Sequence, residues 1–338
     1  MFKAKHWGVA AALVLVALGA SASNFRVADQ VYLPIAGHIQ GGSSLFVSDV
    51  FISNLSTDQI QVSLIYGPQN GKNETFRTFP NKITLNAGER KEFIDFFPTV
   101  LPEIANPFGI VVFNACKANS DCTPDPVNGE NANFRPISVE SRIYAIAVGA
   151  NPATAASNGQ DMPGIPWYNF VSSSEAAAGL SKVFITGFRS NTGYRGNLGV
   201  VNASQFSSTT LVATLRDGAS GNQVGTQKIF SLPPLTFEQP NIAGAFGAVG
   251  TGTNLYVEIE QGASTKTGDA DANGCPDGCP AFLAFGSLLD NQTTDPTTLE
   301  AQYTKSLNQL QIACIYSPAD ANCSLKVGAK PLHRAVKH

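Results

Sequence analysis

Apolar and polar positions alternate with period two along several short stretches of this chain, the signature of strands with one buried face. Gln61–Tyr66 and Ile137–Val148 show it most clearly, the latter placing Val139, Ser141, Ile143 and Ala145 on one face. Leu45–Ile52, Lys82–Leu85, Val183–Gly187, Asn197–Val201, Leu211–Arg216, Gln227–Leu232, Leu255–Glu260 and Phe282–Leu289 read as further strands. Ile110–Ala115 is continuously apolar, as expected of a central strand. Val31–Ile35 contains Pro34, which has no N–H for a ladder, so this strand is expected at an edge. Lys91–Phe97 fits an amphipathic strand or a short helix, and Ser172–Gly179 fits one helical turn capped by Ser174. No sustained helical period occurs before Thr297, and Thr298–Gln311 fits a short helix or a last strand. Short strands punctuated by Gly, Asn and Pro predict an all-β, antiparallel sandwich.

The pattern occurs twice. Val47–Ser56 and Arg195–Ser204 share a polar start, a short apolar run and Asn-x-Ser, with Asn54 and Asn202 roughly 148 residues apart. Each is followed by an alternating strand and a Gly-containing turn, Gly67–Gly71 in one half and Asp217–Gly221 in the other. Further on, Ile110–Phe113 is matched with Leu255–Glu258, and Ser138–Ser141 with Ala284–Ser287. Tandem duplication of one β unit is the expectation, with 31–148 and 183–290 superposing.

Lys3, Lys5 and His6 precede an apolar run, Gly8–Ala20, and Ala20-Ser-Ala22 supplies a small-x-small cleavage signature. The run falls short of the roughly 20 residues that span a bilayer. The expected organisation is a signal peptide at 1–22, a first β-sandwich at 23–148 and a linker at 149–179. A second sandwich at 180–296 and a C-terminal extension at 297–338 with a basic tail complete it. The mature protein is expected to be secreted, extracellular, on the cell surface or in the periplasm. It is not expected to insert into the membrane. Charged residues are 14% of the chain, against about 25% in ordinary soluble domains. With net charge −3 there is no field to attract nucleic acid, so a nucleic-acid partner is not expected.

Six cysteines suit an oxidising compartment. Fifteen pairings are open in principle, and proximity with the duplication favours Cys116–Cys122, Cys275–Cys279 and Cys314–Cys323. Loops this short stabilise by only about 2–3 kcal/mol each. Such bridges staple loops and do not hold a fold. A thiolate metal site at Cys275 and Cys279 is disfavoured because no histidine is near.

Phe188-Arg-Ser-Asn191, Tyr194–Ala203, Leu255–Glu258 and Phe285–Asn291 with Asp295-Pro296 resemble motifs of a family of uncharacterised secreted bacterial proteins. Ser141–Tyr144, followed by Gly159-Gln160 and Pro163, resembles that family's junction between units. The resemblance covers most of 31–296 and implies tandem immunoglobulin-like β-sandwich repeats. It implies no catalytic residues, and nothing carries over to the disulfide loops or to the tail from Thr298.

Enzyme signatures are sparse. A Ser-His-Asp triad would need His38, yet no Gly-x-Ser-x-Gly elbow is present, and His38 reads as a solvated loop residue. Gly67–Asn73 has the wrong glycine spacing for a phosphate loop and reads as a hairpin turn. Glu238, or Glu258 with Glu260, are the candidate carboxylates for glycoside hydrolysis, the blander reading being a solvated strand face. Asp269, Asp271 and Asn273 occupy the first, third and fifth positions of a calcium-loop pattern, with Gly274 at the turn and Asp277 at the ninth. Pro280 stands where the bidentate Glu belongs, so calcium affinity in the roughly 10⁻⁴–10⁻³ M range is expected. Trp167 and Tyr168 suit a sugar-stacking platform or, more in keeping with their place in the linker, packing between the domains. The function expected is therefore non-catalytic: a structural, adhesive or interaction role towards a protein or glycan surface. A carbohydrate-binding protein is the alternative, and a secreted hydrolase the weaker one.

Overall fold

A computed structural model describes residues 27–72, 74–123, 131–167, 170–172, 181–205, 207–247, 252–262 and 281–305. In chain order the first half contains β1 (Gln30–Gly41), β2 (Ser44–Asn54), β3 (Ile60–Pro68), β4 (Arg77–Leu85) and β5 (Arg90–Phe93). Helix α1 (Phe96–Val100), β6 (Phe108–Lys117), β7 (Ile137–Ala147), β8 (Asn158–Pro163) and β9 (Ile165–Pro166) follow. The second half contains β10 (Val171–Ser172), β11 (Ser181–Ser190), β12 (Tyr194–Asn202), β13 (Thr209–Asp217), β14 (Lys228–Leu232) and β15 (Phe237–Glu238). Helix α2 (Ile242–Phe246), β16 (Gly252–Gln261), β17 (Ala281–Asp290) and β18 (Pro296–Lys305) complete it. All named strand pairs are antiparallel, and the architecture is two β-sandwiches. Of Thr298–Gln311, which fits a helix or a strand, the described part 298–305 belongs to strand β18 because it pairs with both β11 and β17, and 306–311 lie outside the described residues.

In the first sandwich, β8–β7–β2 form one sheet, with β5 along the other edge of β2. β9–β1–β6–β3–β4 form the facing sheet. β1 belongs to both: Gln30–Gly37 pairs with β6, and His38–Gly41 turns the corner onto β2. Pro34 sits where the β1–β6 register shifts, between Leu33 and Ala36. The missing N–H therefore marks a bend in an interior strand, not the edge its sequence suggested. The β2–β5 and β3–β6 pairs are the B–E and C–F pairs of an immunoglobulin sandwich. The flanking strands are exchanged relative to that fold, with β1 beside β6 and β7 beside β2.

The second sandwich repeats this plan: β12 pairs with β15 and β17, and β16 with β11 and β13. β10 meets β17 as Ala28 meets Ile137, and β18 takes the positions of β8 and β9 together. Part of the stretch expected as linker, 158–166, is thus strand. Asn54 and Asn202 end equivalent strands, and both are fully buried. Asn54 Nδ2 donates to the carbonyls of Asp58 and Asn86 at 2.8 and 2.7 Å. Asn202 Nδ2 donates to those of Ser207, Leu232 and Pro233 at 2.8, 3.1 and 3.0 Å. Their Oδ1 atoms accept the amides of Ser56 and Ser204, which accounts for the Asn. The serine hydroxyls tie the turns, Ser56 Oγ donating to Asn54 Oδ1 and Ser204 Oγ accepting the Ser207 amide. Three of the sequence matches slip by one residue, since pairing also puts Gly67 at the position of Arg216 and not of Asp217. Pairing equates Val111 with Val257 and Ser138 with Leu283, so that core faces core, and a one-residue slip would turn each strand inside out.

Within the first core, Tyr66 accepts the Phe108 amide at 3.0 Å, and burial pushes its pKa up to about 12. Burial raises Tyr32 as well, and burial with the Asp49 carboxylate raises Tyr144. A raised folded pKa favours the neutral phenol, so this stability is intact below the unfolded pKa of about 10 and is lost as pH rises towards 12. Chemical denaturation from pH 8 to 12 should show a flat limb and then a fall above pH 10. A Tyr66→Phe variant should start lower, because the part-buried Phe108 amide loses its acceptor, and should fall less steeply.

Candidate functional site

The main candidate surfaces are the faces of the four sheets. Ile110-Val-Val-Phe113 is apolar on both sides because both sides of β6 are covered. Val111 and Phe113 enter the first core, whereas Ile110 and Val112 enter a separate cluster between the sandwiches. From the first sandwich that cluster takes Tyr32, Ile35 and Ile65, and from the second Val201, Leu235, Phe237, Leu283 and Phe285. Phe108 meets Phe237 with ring centroids 5.3 Å apart. The main chains also touch: Asn70 N donates to the Phe237 carbonyl at 2.8 Å. A Cβ on Gly67 would overlap the Leu235 carbonyl oxygen, so only glycine allows this approach. Asn70 Nδ2 donates to Glu238 Oε1 at 2.6 Å, and Ser287 Oγ to Gln160 Oε1 at 2.8 Å. Gly67 and Pro68 thus end β3, Asn70–Lys72 is the turn expected, and the stretch is also a contact that its sequence did not reveal.

Trp167 packs against this layer and against the first core, with Nε1 donating to Asp29 at 3.0 Å. Its packing place, against the layer between the sandwiches, is the one expected, and the ring is partly buried there. Tyr168 lies outside the described residues.

The outward face of β11, β13 and β16 carries the other notable constellation. Phe184 and Tyr256 stand half-buried with ring centroids 6.3 Å apart. Beside them Glu258 forms ion pairs with Lys182 and with Arg216, the latter at 2.8 Å. Burial opposes ionisation of Glu258, but the two cations prevail and hold its carboxyl below the usual range. A carboxylate held charged between two cations is poorly suited to act as a general acid. Glu238, bonded to Asn70, belongs to the inter-sandwich contact, while Glu260 lies one alternation beyond Glu258 on the same face.

His38 is in β1, not in a loop, and is not simply solvated: Nδ1 lies 2.7 Å from Asp95 Oδ1. Asp95 precedes α1 with φ 49°, and its amide donates to Asp49 Oδ1 at 2.9 Å. The Tyr144 hydroxyl donates to the same oxygen at 2.9 Å. This chain of four residues, linked through the Asp95 amide, clamps α1 and the β1 corner onto β2 and β7. Equivalent positions in the second sandwich hold Ser190, Asn197, Asn241 and Leu289, so the fold itself does not require the clamp. Sequence reasoning missed Asp49, Asp95 and Tyr144 because they lie far apart along the chain.

Cys116 and Cys122 form a disulfide at the end of β6, as expected. Cys275, Cys279, Cys314 and Cys323 lie outside the described residues, as do Asp269, Asp271, Asn273 and Asp277. Among the described residues no group of three or more His, Cys, Asp or Glu side chains could hold a metal.

No family model and no curated protein matches the chain. A solved structure described as "Biofilm associated protein - B domain" aligns over 84% of this chain and 87% of that chain, at 8% identity and a TM-score of 0.20. A likeness that low carries no argument, and the fold rests on the strand pairing above.

Proposed function

We propose that this is a non-catalytic β-sandwich protein of the cell exterior with a structural, adhesive or interaction role. The observation that supports it best is the apolar layer that makes two sandwiches one body, with Glu238 part of that contact and Glu258 locked in ion pairs. The disulfide suits an oxidising compartment. Among the described residues no helix is long and apolar enough to cross a membrane. Secretion rests on residues 1–22, and kinship with secreted bacterial repeat proteins rests on the motifs quoted from the sequence. The partner is a protein or glycan surface. The test is a polysaccharide panel assayed for reducing-end release alongside adhesion to coated surfaces. Adhesion without hydrolysis is expected. Hydrolysis that Glu258→Gln or Glu260→Gln abolishes would make the protein an enzyme.

A carbohydrate-binding role is favoured by one observation, the Phe184–Tyr256 pair on an outward sheet face. On a glycan array, Tyr256→Ala should then lose at least tenfold in affinity with an unchanged melting temperature. Calcium at Asp269, Asp271, Asn273 and Asp277 is a further proposal. Millimolar calcium near Kd should add about 0.4 kcal/mol of stability, the melting temperature should rise slightly, and Asp271→Ala should remove the rise.

A further inference from the structure

The four sheets form a stack. In order they are β2/β5/β7, then β1/β3/β6, then β12/β15/β17, then β11/β13/β16, and the apolar layer joins the middle two. This contact is heterologous: the face offered by the first sandwich differs from the face offered by the second. Each sandwich has both faces. A heterologous contact between like units leaves one face of each kind unmatched and, repeated, continues into a ring or a filament.

The positions that make the contact can be followed onto the two faces left at the ends. On the β1/β3/β6 side the contact uses Ile65, Gly67, Ile110 and Val112; pairing places Thr214, Arg216, Tyr256 and Glu258 at the equivalent positions of β13 and β16. On the β12/β15/β17 side it uses Val201, Phe237, Leu283 and Phe285; the equivalents on β2, β5 and β7 are Ser53, Arg90, Ser138 and Glu140. Arg90 lies over the Phe51 ring at 5.1 Å and pairs with Glu140 at 3.9 Å. Arg216 replaces the one glycine that lets the main chains meet, and Glu258 ties it down. Burying such charges costs several kcal/mol per ion unless new partners appear. Terminal units of repeat stacks carry polar outer faces for this reason.

We propose that Arg216 with Glu258 at one end, and Arg90 with Glu140 at the other, close the stack at two sandwiches. Their charges exclude a second copy of this chain from adding as the second sandwich adds to the first. Two variants of the full chain test it, one with Arg216→Gly and Glu258→Val, the other with Arg90→Phe and Glu140→Phe. Light scattering should give a monomer for the parent and for each variant alone, and a 1:1 dimer of doubled mass when the two variants are mixed. A chain with all four substitutions should form longer, concentration-dependent oligomers. If glycine in β13 costs the fold, Arg216→Ala with Glu258→Ile carries the same expectation. A parent that already forms head-to-tail oligomers would overturn the proposal. So would variants with native circular dichroism that stay monomeric when mixed, or a single variant that self-associates as strongly as the mixture.

Discussion

Asn202→Ala is expected to lower stability by about 3–5 kcal/mol, among the largest effects of any single truncation in the molecule. The side chain is fully buried and donates to three main-chain carbonyls, from Ser207, Leu232 and Pro233. Each buried carbonyl left without a donor costs about 1–3 kcal/mol, and alanine supplies none. The lost Oδ1 also frees the Ser204 amide, so the turn after β12 loses its anchor. Asn54→Ala should act alike in the first sandwich, because Asn54 makes the equivalent bonds. Urea denaturation of the two variants measures the effect. Asn202→Asp is the informative companion: it keeps the acceptor for Ser204 but turns a carboxylate oxygen towards carbonyl oxygens, so it should not rescue. A loss under about 1 kcal/mol in both alanine variants would show that water replaces the amide, and the account of Asn-x-Ser would be wrong.

Phe237→Ala should cost about 3–5 kcal/mol, the usual range for removing a fully buried aromatic ring. Its ring sits between the sandwiches and not within either core, so the loss should fall on their association. The expected signature is two unfolding transitions in calorimetry where the parent has one, with increased dye binding to the opened apolar layer. Gly67→Ala offers an independent route to the same state, since its Cβ would collide with the main chain of Leu235, which has no rotamer to escape into. A Phe237→Ala protein that melts in one transition at the parent temperature would mean the layer contributes little.

The strand content, the antiparallel sandwich and the duplication were legible in the chain because they are local: period-two burial, turn residues and one repeated Asn-x-Ser register. The bend at Pro34 was not, because proline excludes an N–H but does not say whether an edge or a corner made that tolerable. The one-residue slips came from the same limit. Ile110–Phe113 is apolar throughout, so its alternation is invisible, and only pairing with β1 and β3 shows which side chains enter the core.

By itself, the sequence determined that each half is a β unit with a repeated Asn-x-Ser, and that Cys116 and Cys122 are close enough to bridge, while the burial of Asn54 and Asn202 came from the structure. Only the tertiary structure decided what covers each outer face. Tyr32, Ile65 and Val112 read as ordinary strand residues until a second sandwich is laid on them. Glu258, a candidate acid in the chain, became one arm of an ion-pair cluster once Lys182 and Arg216 arrived from neighbouring strands. His38, Asp49, Asp95 and Tyr144 met only because β1 turns its corner beside β2 and β7. The reason is physical: alternation fixes which residues share a face, but what lies across that face depends on contacts between residues far apart in the chain.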